Sequence, residues 1–218
     1  MHIVALTDIH GSYKEAEDIL AKESPIDVVI IGGDLTTFGT PQEAEGAIKR
    51  FQSIAKPLLV VAGNMDPPEL DDVFVQLGVS INGKGVIIND VGFFGVSAAP
   101  YSPLHTPYEI SEEEIRQRSE AGWREVQKAR WRIFVPHAPP RDTQLDKIFL
   151  GKHVGSTAVR KFIEDAQPDA VVCGHIHEAR GLDSLGKSMV INCGPTGKGY
   201  YGVLEVLTTV EVTARQLK

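Results

Sequence analysis

Residues 27–33 read DVVIIGG, and an aspartate, Asp34, follows them directly. A short apolar run that is rich in β-branched residues and closed by glycine is typical of a strand buried on both faces. Four more runs of this kind occur, at residues 2–7, 57–63, 132–136 and 169–174. Helix-like patterns lie between or after them, at residues 13–22, 41–55, 67–77 and 156–166. The alternation predicts an α/β fold built from β-α units.

Two further stretches are patterned as antiparallel strands. Residues 85–97 contain two apolar runs separated by Asn89 and Asp90, which favours a hairpin. The region from residue 188 to residue 214 is again rich in strand-forming residues. We therefore expect two mixed β-sheets packed together and flanked by helices, with the whole chain, residues 1–218, forming a single domain.

The composition excludes several classes of protein. The chain has 22 lysine and arginine residues against 29 aspartate and glutamate residues, a net charge of -7. No basic field is available for a long phosphate backbone, so nucleic acid is not expected as a partner. The N-terminal residues lack the pattern of a signal peptide, and no apolar stretch approaches the roughly 18 residues that cross a bilayer. We expect a cytoplasmic protein with no membrane partner. The sequence is compatible with either a monomer or a homo-oligomer.

Side chains with metal-binding atoms follow each of the five apolar runs. Because the carboxyl ends of the strands of an open α/β sheet border one crevice, we expect these side chains to converge. If the chain is locally extended, Asp8 and His10 point to the same side, as do His175 and His177. The candidate ligands are Asp8, His10, Asp34, Asn64, His137, His175 and His177.

The candidate ligands comprise carboxylates, one amide oxygen and imidazoles, and they include no thiolate. This donor set suits Mn, Fe, Zn, Co or Ni and fits Ca or Mg poorly. The ligands are too numerous for one tetrahedral ion, whereas two ions that share a carboxylate would use them all. Two-metal sites with ions roughly 3.5–4 Å apart are a standard device for phosphoester hydrolysis. The sequence predicts two divalent transition-metal ions.

The chain resembles the calcineurin-like metallophosphoesterases in five motifs that occur in order: Asp8-Ile9-His10, Gly33-Asp34, Gly63-Asn64-Met65-Asp66, His137 and Gly174-His175-Ile176-His177. The segments HAPP, GKHVGS and CGHIHEARG are similar to a compact prokaryotic branch related to phosphodiesterases. The resemblance implies a four-layer αββα sandwich that hydrolyses a small phosphoester through a hydroxide bridging the two ions, with manganese favoured. It assigns the first ion to Asp8, His10, Asp34 and His177, and the second to Asn64, His137 and His175, with Asp34 as the bridge.

Position 65 departs from the family pattern. Relatives commonly carry there a histidine that assists leaving-group departure, whereas the Met65 thioether has no proton to give. General acid catalysis contributes about 10²- to 10⁴-fold, and its loss should matter most for strongly basic leaving groups. Relatives without this histidine are similar in favouring diesters, so we predict a phosphodiesterase rather than a phosphomonoesterase. Asp66 joins Asp34 and Asn64 as a predicted catalytic residue, either supporting the ligands or facing the substrate.

Other residues are candidates for the missing acid or for phosphate binding. The resemblance favours His153 as a catalytic residue. Gly155 and Ser156 open a helix whose free N–H groups would bind a phosphate oxygen, with an ordinary N-cap as the alternative. Arg141 follows the His137 segment and would pair with a substrate phosphate. The long irregular segment 98–112 adds Tyr101, His105 and Tyr108, and His105 is our candidate to reach the substrate, with an exposed loop histidine as the alternative.

Two other functions stay open at this point. A catalytically weak, metal-containing binding scaffold would retain the ligands, and loss of the histidine at position 65 is a step in that direction. A nuclease is compatible with the family, although no basic stripe is visible in the sequence.

Overall fold

The computed structural model describes residues 1–217, which form thirteen strands and five α-helices. In chain order the elements are β1 (His2–Leu6), α1 (Tyr13–Glu23), β2 (Val28–Gly32), α2 (Pro41–Ile54), β3 (Leu58–Val61), α3 (Leu70–Gln76), β4 (Gly85–Ile88), β5 (Val91–Val96), β6 (Ala99–Pro100), β7 (Glu109–Ile110), α4 (Glu112–Val126), β8 (Trp131–Pro136), α5 (Thr157–Ala166), β9 (Ala170–Cys173), β10 (Gly181–Leu185), β11 (Ser188–Asn192), β12 (Tyr200–Val206) and β13 (Val210–Gln216). Within residues 1–217 no helix has both the length and the apolar character that a bilayer crossing requires.

The strands form two large sheets, and both are mixed. One sheet has the order β13-β12-β1-β2-β3, the other has the order β10-β11-β9-β8-β5-β4, and β6 pairs separately with β7. Strands β1, β2 and β3 run parallel in the first sheet, as do β5, β8, β9 and β11 in the second. Antiparallel hairpins complete the edges. The predicted hairpin is confirmed as β4–β5, and Asn89 and Asp90 at its turn both have positive φ, as a two-residue hairpin loop requires.

The two sheets face each other, and helices cover their outer faces. Alternate residues of each strand enter different hydrophobic clusters, so Ile3 and Ala5 of β1 join a cluster made of strand residues from both sheets. Val4 and Leu6 of β1 instead join a cluster that includes buried residues of the helices, such as Phe162 of α5. Because side chains alternate along a strand, this division produces four layers, helix, sheet, sheet and helix. The predicted fold class is confirmed.

Helix α3 begins at Leu70, three residues after the predicted start at Pro67. A residue that precedes proline is disfavoured in the helical region, and Pro68 places Pro67 in that position. The segment forms a turn instead, in which Leu70 N donates to Pro67 O at 2.9 Å and Asp71 N donates to Pro68 O at 3.1 Å.

Candidate metal centre

The predicted ligands lie just beyond the parallel strands of both sheets. Asp8, Asp34 and Asn64 follow β1, β2 and β3 of the first sheet, and His137 follows β8 of the second. His175 follows β9. Parallel strands deliver their carboxyl ends to one edge of a sheet, so the sandwich brings ligands from both sheets to the same end.

One cluster of ligand atoms surrounds Asp8. His177 Nε2 lies 3.5 Å from Asp8 Oδ1 and 3.3 Å from His10 Nε2. His10 Nε2 in turn lies 3.5 Å from Asp34 Oδ2. The His10 and His177 side chains are 23% and 41% exposed, so the centre opens to solvent on this side.

A second cluster surrounds Asn64 and is more deeply buried. His137 Nε2 lies 3.0 Å from Asn64 Oδ1 and 3.4 Å from Asp34 Oδ2. His175 Nδ1 lies 2.7 Å from the same Asn64 oxygen. Asp34 Oδ2 therefore approaches both clusters, which is the position that a bridging carboxylate would take. All seven predicted ligands have an atom in one of these two clusters.

The arrangement fits divalent ions on two observations. Asp8 Oδ2 is buried and has no hydrogen-bond partner within the described chain, and an unpartnered buried carboxylate oxygen is costly unless a cation approaches it. Two sets of donors, Asp8 with His10 and His177, and Asp8 with Asp34 and His137, each lie within 4.8 Å of one another. Such mixed carboxylate and imidazole sets suit transition-metal ions.

The electrostatics of the centre also favour a positive charge within it. Burial opposes protonation of His137, but the charges of Asp34 and Asp8 outweigh it and raise the pKa of His137 to about 9. Burial alone would raise the pKa of Asp8, yet the His177 hydrogen bond and the nearby imidazoles lower it below its usual range. Burial and the His137 charge lower the pKa of His175 to about 4. The buried carboxylates thus hold a cationic charge at the point where the ligands meet.

The backbone reaches this geometry through left-handed turns rather than extended chain. Positive φ angles occur at Asp8 (50°), His10 (47°), Asp34 (51°) and His175 (68°). The expectation that extended alternation aligns Asp8 with His10, and His175 with His177, is therefore wrong. Non-glycine residues with positive φ are uncommon and cluster at functional sites, where surrounding contacts hold them.

Two glycines permit the close approach of backbone to ligands. A Cβ atom at Gly63 would lie 2.0 Å from Asp34 Oδ1, which is impossible without displacing that carboxylate. A Cβ atom at Gly33, whose φ is +101°, would lie 2.2 Å from His137 Nδ1. The glycines in the predicted motifs thus leave room for ligand side chains.

Hydrogen bonds from outside the clusters orient the imidazoles. His137 Nδ1 lies 2.9 Å from Gly32 O, which fixes the proton on Nδ1 and leaves Nε2 free for the centre. His10 Nδ1 lies 2.9 Å from Thr37 Oγ1, and this hydrogen bond orients the His10 ring. Thr37 was not predicted, because a single threonine in a loop carries no spacing signal.

Asp66 is fully buried and holds the loop that follows β2. Its carboxylate accepts from Thr36 N and Oγ1, both at 2.8 Å, from Gly63 N at 2.9 Å and from Leu35 N at 3.1 Å. Burial, together with the Asp34 charge, raises the pKa of Asp66 to about 6. A side chain with no accessible surface has no contact with substrate, so the substrate-facing alternative is wrong and a supporting role remains.

The segment 98–112 contacts the centre through its backbone. Tyr108 N donates to Asn64 O at 3.0 Å, but the Tyr108 hydroxyl donates to Asp71 at 2.6 Å, and burial with the Asp71 charge raises its pKa to about 12. The structure therefore assigns the Tyr108 hydroxyl to the Asp71 carboxylate rather than to proton transfer. Tyr101 and His105 are both exposed.

The predicted phosphate site at the start of α5 requires free backbone N–H groups, and in the structure these groups already have partners. Gly155 N donates to Asp146 at 3.0 Å, and the Ser156 hydroxyl accepts from Val159 N as an N-cap. Glu112 accepts from Ser156 Oγ at 2.5 Å and from the next two backbone N–H groups, those of Thr157 and Ala158, at 2.9 Å each. The donors of this helix end are occupied, so the N-cap alternative is the correct one.

His153 is paired with an aspartate that the sequence did not single out. His153 Nδ1 lies 2.7 Å from Asp146 Oδ1, and the His153 side chain is 31% exposed. Asp146 is fully buried and also accepts from the backbone of Asp142 and Thr143. Asp146 lacks any neighbouring motif, which is why only the structure reveals it. Arg141 points to solvent, 3.9 Å from Asp142, and stays a prediction as a phosphate ligand.

Comparison with known proteins places this geometry in a family. The sequence profile described as calcineurin-like phosphoesterase matches residues 1–179. An uncharacterized protein of Methanocaldococcus jannaschii, MJ1162, is 35% identical over 206 residues, which cover 92% of this chain and 90% of that protein.

Solved structures agree on the fold. The protein TT1561 of Thermus thermophilus superposes with a TM-score of 0.77 at 18% identity, covering 99% of this chain and 98% of that chain. A novel archaeal phosphodiesterase superposes with a TM-score of 0.58 at 17% identity, covering 100% of both chains. The chain is a member of the calcineurin-like phosphoesterase family, and its two ligand clusters are the candidate metal centre of a hydrolase that acts on phosphoesters.

Proposed function

We propose that this protein is a dinuclear metal-dependent phosphodiesterase that hydrolyses a small phosphodiester. The observation that carries the proposal is the pair of ligand clusters that share Asp34 Oδ2, combined with a methionine beside them. Met65 N donates to Asp34 Oδ1 at 2.7 Å, so position 65 borders the centre. The archaeal phosphodiesterase of similar fold supports the same activity class.

The roles of the residues follow from the two clusters. Asp8, His10 and His177 would hold one ion, Asn64, His137 and His175 the other, and Asp34 would bridge them. Two divalent ions held there would supply Lewis-acid chemistry, which lowers the pKa of bound water and offsets negative charge on phosphoryl oxygens. Manganese is our first choice among Mn, Fe, Zn, Co and Ni.

Leaving-group protonation distinguishes this chain from relatives with histidine at position 65. The methionine sulfur donates no proton, so a leaving alkoxide receives none from position 65. Diesters with weakly basic leaving groups tolerate this, whereas alkyl monoesters do not. This difference favours a diesterase.

The His153–Asp146 pair is our candidate for the remaining acid. A buried carboxylate that accepts from Nδ1 orients the ring so that Nε2 points away from Asp146, and the imidazolium form would carry on Nε2 a proton to donate. The loop that carries the pair is tied to the ligand turn, because Asn192 Nδ2 donates to both Leu145 O and Ile176 O, at 3.2 and 2.9 Å. Arg141 and His105 are retained as candidate substrate-binding residues on neighbouring loops.

Metal reconstitution with turnover measurements tests the proposed activity. The metal-free protein should bind two equivalents of Mn²⁺ and then hydrolyse an aryl phosphodiester, while an alkyl monoester reacts slowly. Met65→His should raise the alkyl monoester rate about 10²-fold and change the aryl diester rate little. A Met65→Leu variant, which conserves size and also lacks a proton, should behave as the wild type does.

The same experiment separates the alternatives. A protein that binds both ions and hydrolyses no ester would be a binding scaffold. Cleavage of single-stranded DNA at a rate above that of small diesters would identify a nuclease. Failure of the monoester rate to respond to Met65→His would remove the missing acid as the cause of selectivity. We propose a cytoplasmic location, and gel filtration with light scattering would reveal a homo-oligomer.

A further inference from the structure

Large apolar side chains are exposed on the loops at the metal end of the sandwich. Phe38 is 63% exposed, Leu104 80% and Phe149 95%, and their neighbours Tyr101 and Leu150 are also exposed. We call these five residues the apolar rim. Single exposed apolar residues are common, but several around one site mark a surface that binds an apolar group.

Phe38 is held next to the solvent-exposed side of the centre. Phe38 N donates to Met65 O at 3.0 Å, and the preceding residue, Thr37, contacts the ligand His10 at 2.9 Å. The φ angle of Phe38 is 55°, in the left-handed region that a bulky side chain rarely adopts. The backbone thus holds the exposed Phe38 ring directly after Thr37, the residue that contacts the ligand His10.

Phe149 is fixed to the turn that carries two other ligands. Phe149 N donates to Glu178 Oε1 at 2.9 Å, and Glu178 follows the ligand His177. The Phe149 side chain is 95% exposed. Phe149 and its neighbour Leu150 therefore present apolar surface beside the ligand turn.

Tyr101 and Leu104 occupy the third loop, which is tied to the ligand Asn64. Tyr108 N donates to Asn64 O at 3.0 Å, and Glu109 closes the loop by accepting from Ser102 N at 3.1 Å. Leu104 N donates to Ser102 Oγ at 3.1 Å, so the loop tip is ordered as well. Three separate ligand segments thus each hold a loop with exposed apolar side chains.

We propose that the apolar rim binds the ester group that stays on phosphorus, and that the substrate class is phosphodiesters with an apolar retained group. The proposal rests on the proposed diesterase activity. A diester differs from a monoester by this second group, and binding energy gained from it would add to the diester preference that we attribute to Met65. Water adds its oxygen to phosphorus and loses one proton. The bond between phosphorus and the leaving oxygen breaks, and the leaving oxygen keeps the electron pair and takes up a proton.

A substrate pair with a common leaving group tests the proposal. p-Nitrophenyl hexyl phosphate and p-nitrophenyl methyl phosphate release the same phenolate, so any difference in kcat/KM reports on the retained group. The Mn²⁺-loaded wild type should prefer the hexyl ester about tenfold, because several methylene groups leave water. The double variant F38S/F149S should lower that preference about fivefold and leave the methyl ester rate within about twofold.

Leu207→Ser is the matched control, because Leu207 is 70% exposed but lies beyond β12, whose end pairs with Met1 at the opposite end of the sandwich. It should leave the preference unchanged. A hexyl preference that F38S/F149S does not alter would overturn the proposal. So would cosedimentation of the wild type, but not of the double variant, with phosphatidylcholine vesicles, since the rim would then be a membrane anchor.

A binding measurement distinguishes failure of the rim from failure of the proposed activity. Calorimetric titration with hexyl methylphosphonate, which carries the apolar group but no activated leaving group, should give a Kd that weakens about fivefold in F38S/F149S. If no ester is hydrolysed but this Kd still responds, the rim binds as proposed and the diesterase activity is wrong. If esters are hydrolysed and the Kd does not respond, the rim proposal is wrong.

Discussion

Replacing His153 by glutamine should slow the reaction in proportion to the basicity of the leaving group. Glutamine keeps a polar side chain of similar reach, which can still donate to Asp146 Oδ1, but it carries no transferable proton. The fold should tolerate the change, because the His153 side chain is 31% exposed and Asp146 keeps its bonds to Asp142 N, Thr143 N and Gly155 N.

The size of the effect follows from the chemistry of proton donation. A positioned general acid contributes about 10²- to 10⁴-fold when the leaving oxygen needs the proton. A p-nitrophenolate leaves without help, so its rate should change by about twofold at most. A simple alkoxide should lose about 10²-fold or more, equal to about 2.7 kcal/mol in the activation free energy.

A series of methyl aryl and methyl alkyl phosphodiesters, assayed at constant Mn²⁺, would measure this dependence. The logarithm of kcat should fall more steeply with leaving-group basicity in the variant than in the wild type. His2→Gln, a change on a partly exposed histidine at the opposite end of β1 from Asp8, is the control. An equal loss of rate for every ester, or no loss for alkyl esters, would refute the role of His153 as the acid.

Three further outcomes test the centre and its supports. Gly63→Ala should abolish high-affinity Mn²⁺ binding, measured by titration calorimetry, because its Cβ would lie 2.0 Å from Asp34 Oδ1. In the metal-free protein the pKa of Asp66 is about 6, above the unfolded value of 3.8, so the folded state retains the proton and the free energy of unfolding should fall as pH rises from 4 to 6. Urea unfolding should show that Asp66→Asn removes this slope. Burial opposes ionisation of Glu109, but hydrogen bonds from Ser102 and Thr106 outweigh it and lower the pKa of Glu109 to about 2. Glu109→Gln should therefore lower the free energy of unfolding by a constant amount above pH 4.5, and this loss should shrink towards zero as the pH falls to 2.

The sequence predicted the fold and the convergence of the candidate ligands because both depend on short-range patterns. Buried strands and helices have their own periodicities, and ligands placed just after parallel strands must converge whatever the details of the loops. The left-handed conformation of Asp8 and Asp34 was not predictable, since aspartate adopts it only when neighbouring contacts impose it.

The other features that the sequence did not predict depend on side-chain pairings that no local pattern reveals. Glu112 occupies the donors of a helix that begins 45 residues later, so the open anion site expected at Gly155 and Ser156 does not exist. The partner of His153 is seven residues away, yet no spacing rule identifies Asp146 among the other acidic residues. Side-chain pairing of this kind depends on how the loops fold back over the sheets.

The origin of the ligands in two different sheets has a consequence for folding. Ions held between Asp8 and His177 would join residues 169 positions apart in the chain and connect one sheet to the other at a single end. Because these ligands come together only in the folded chain, ions bound there would stabilise the folded state and leave the unfolded chain unrestricted. An ion present at about 100 times its dissociation constant adds about 2.7 kcal/mol to the free energy of unfolding. Chelation should therefore lower the thermal stability of the whole sandwich, and not only the order of the loops around the centre.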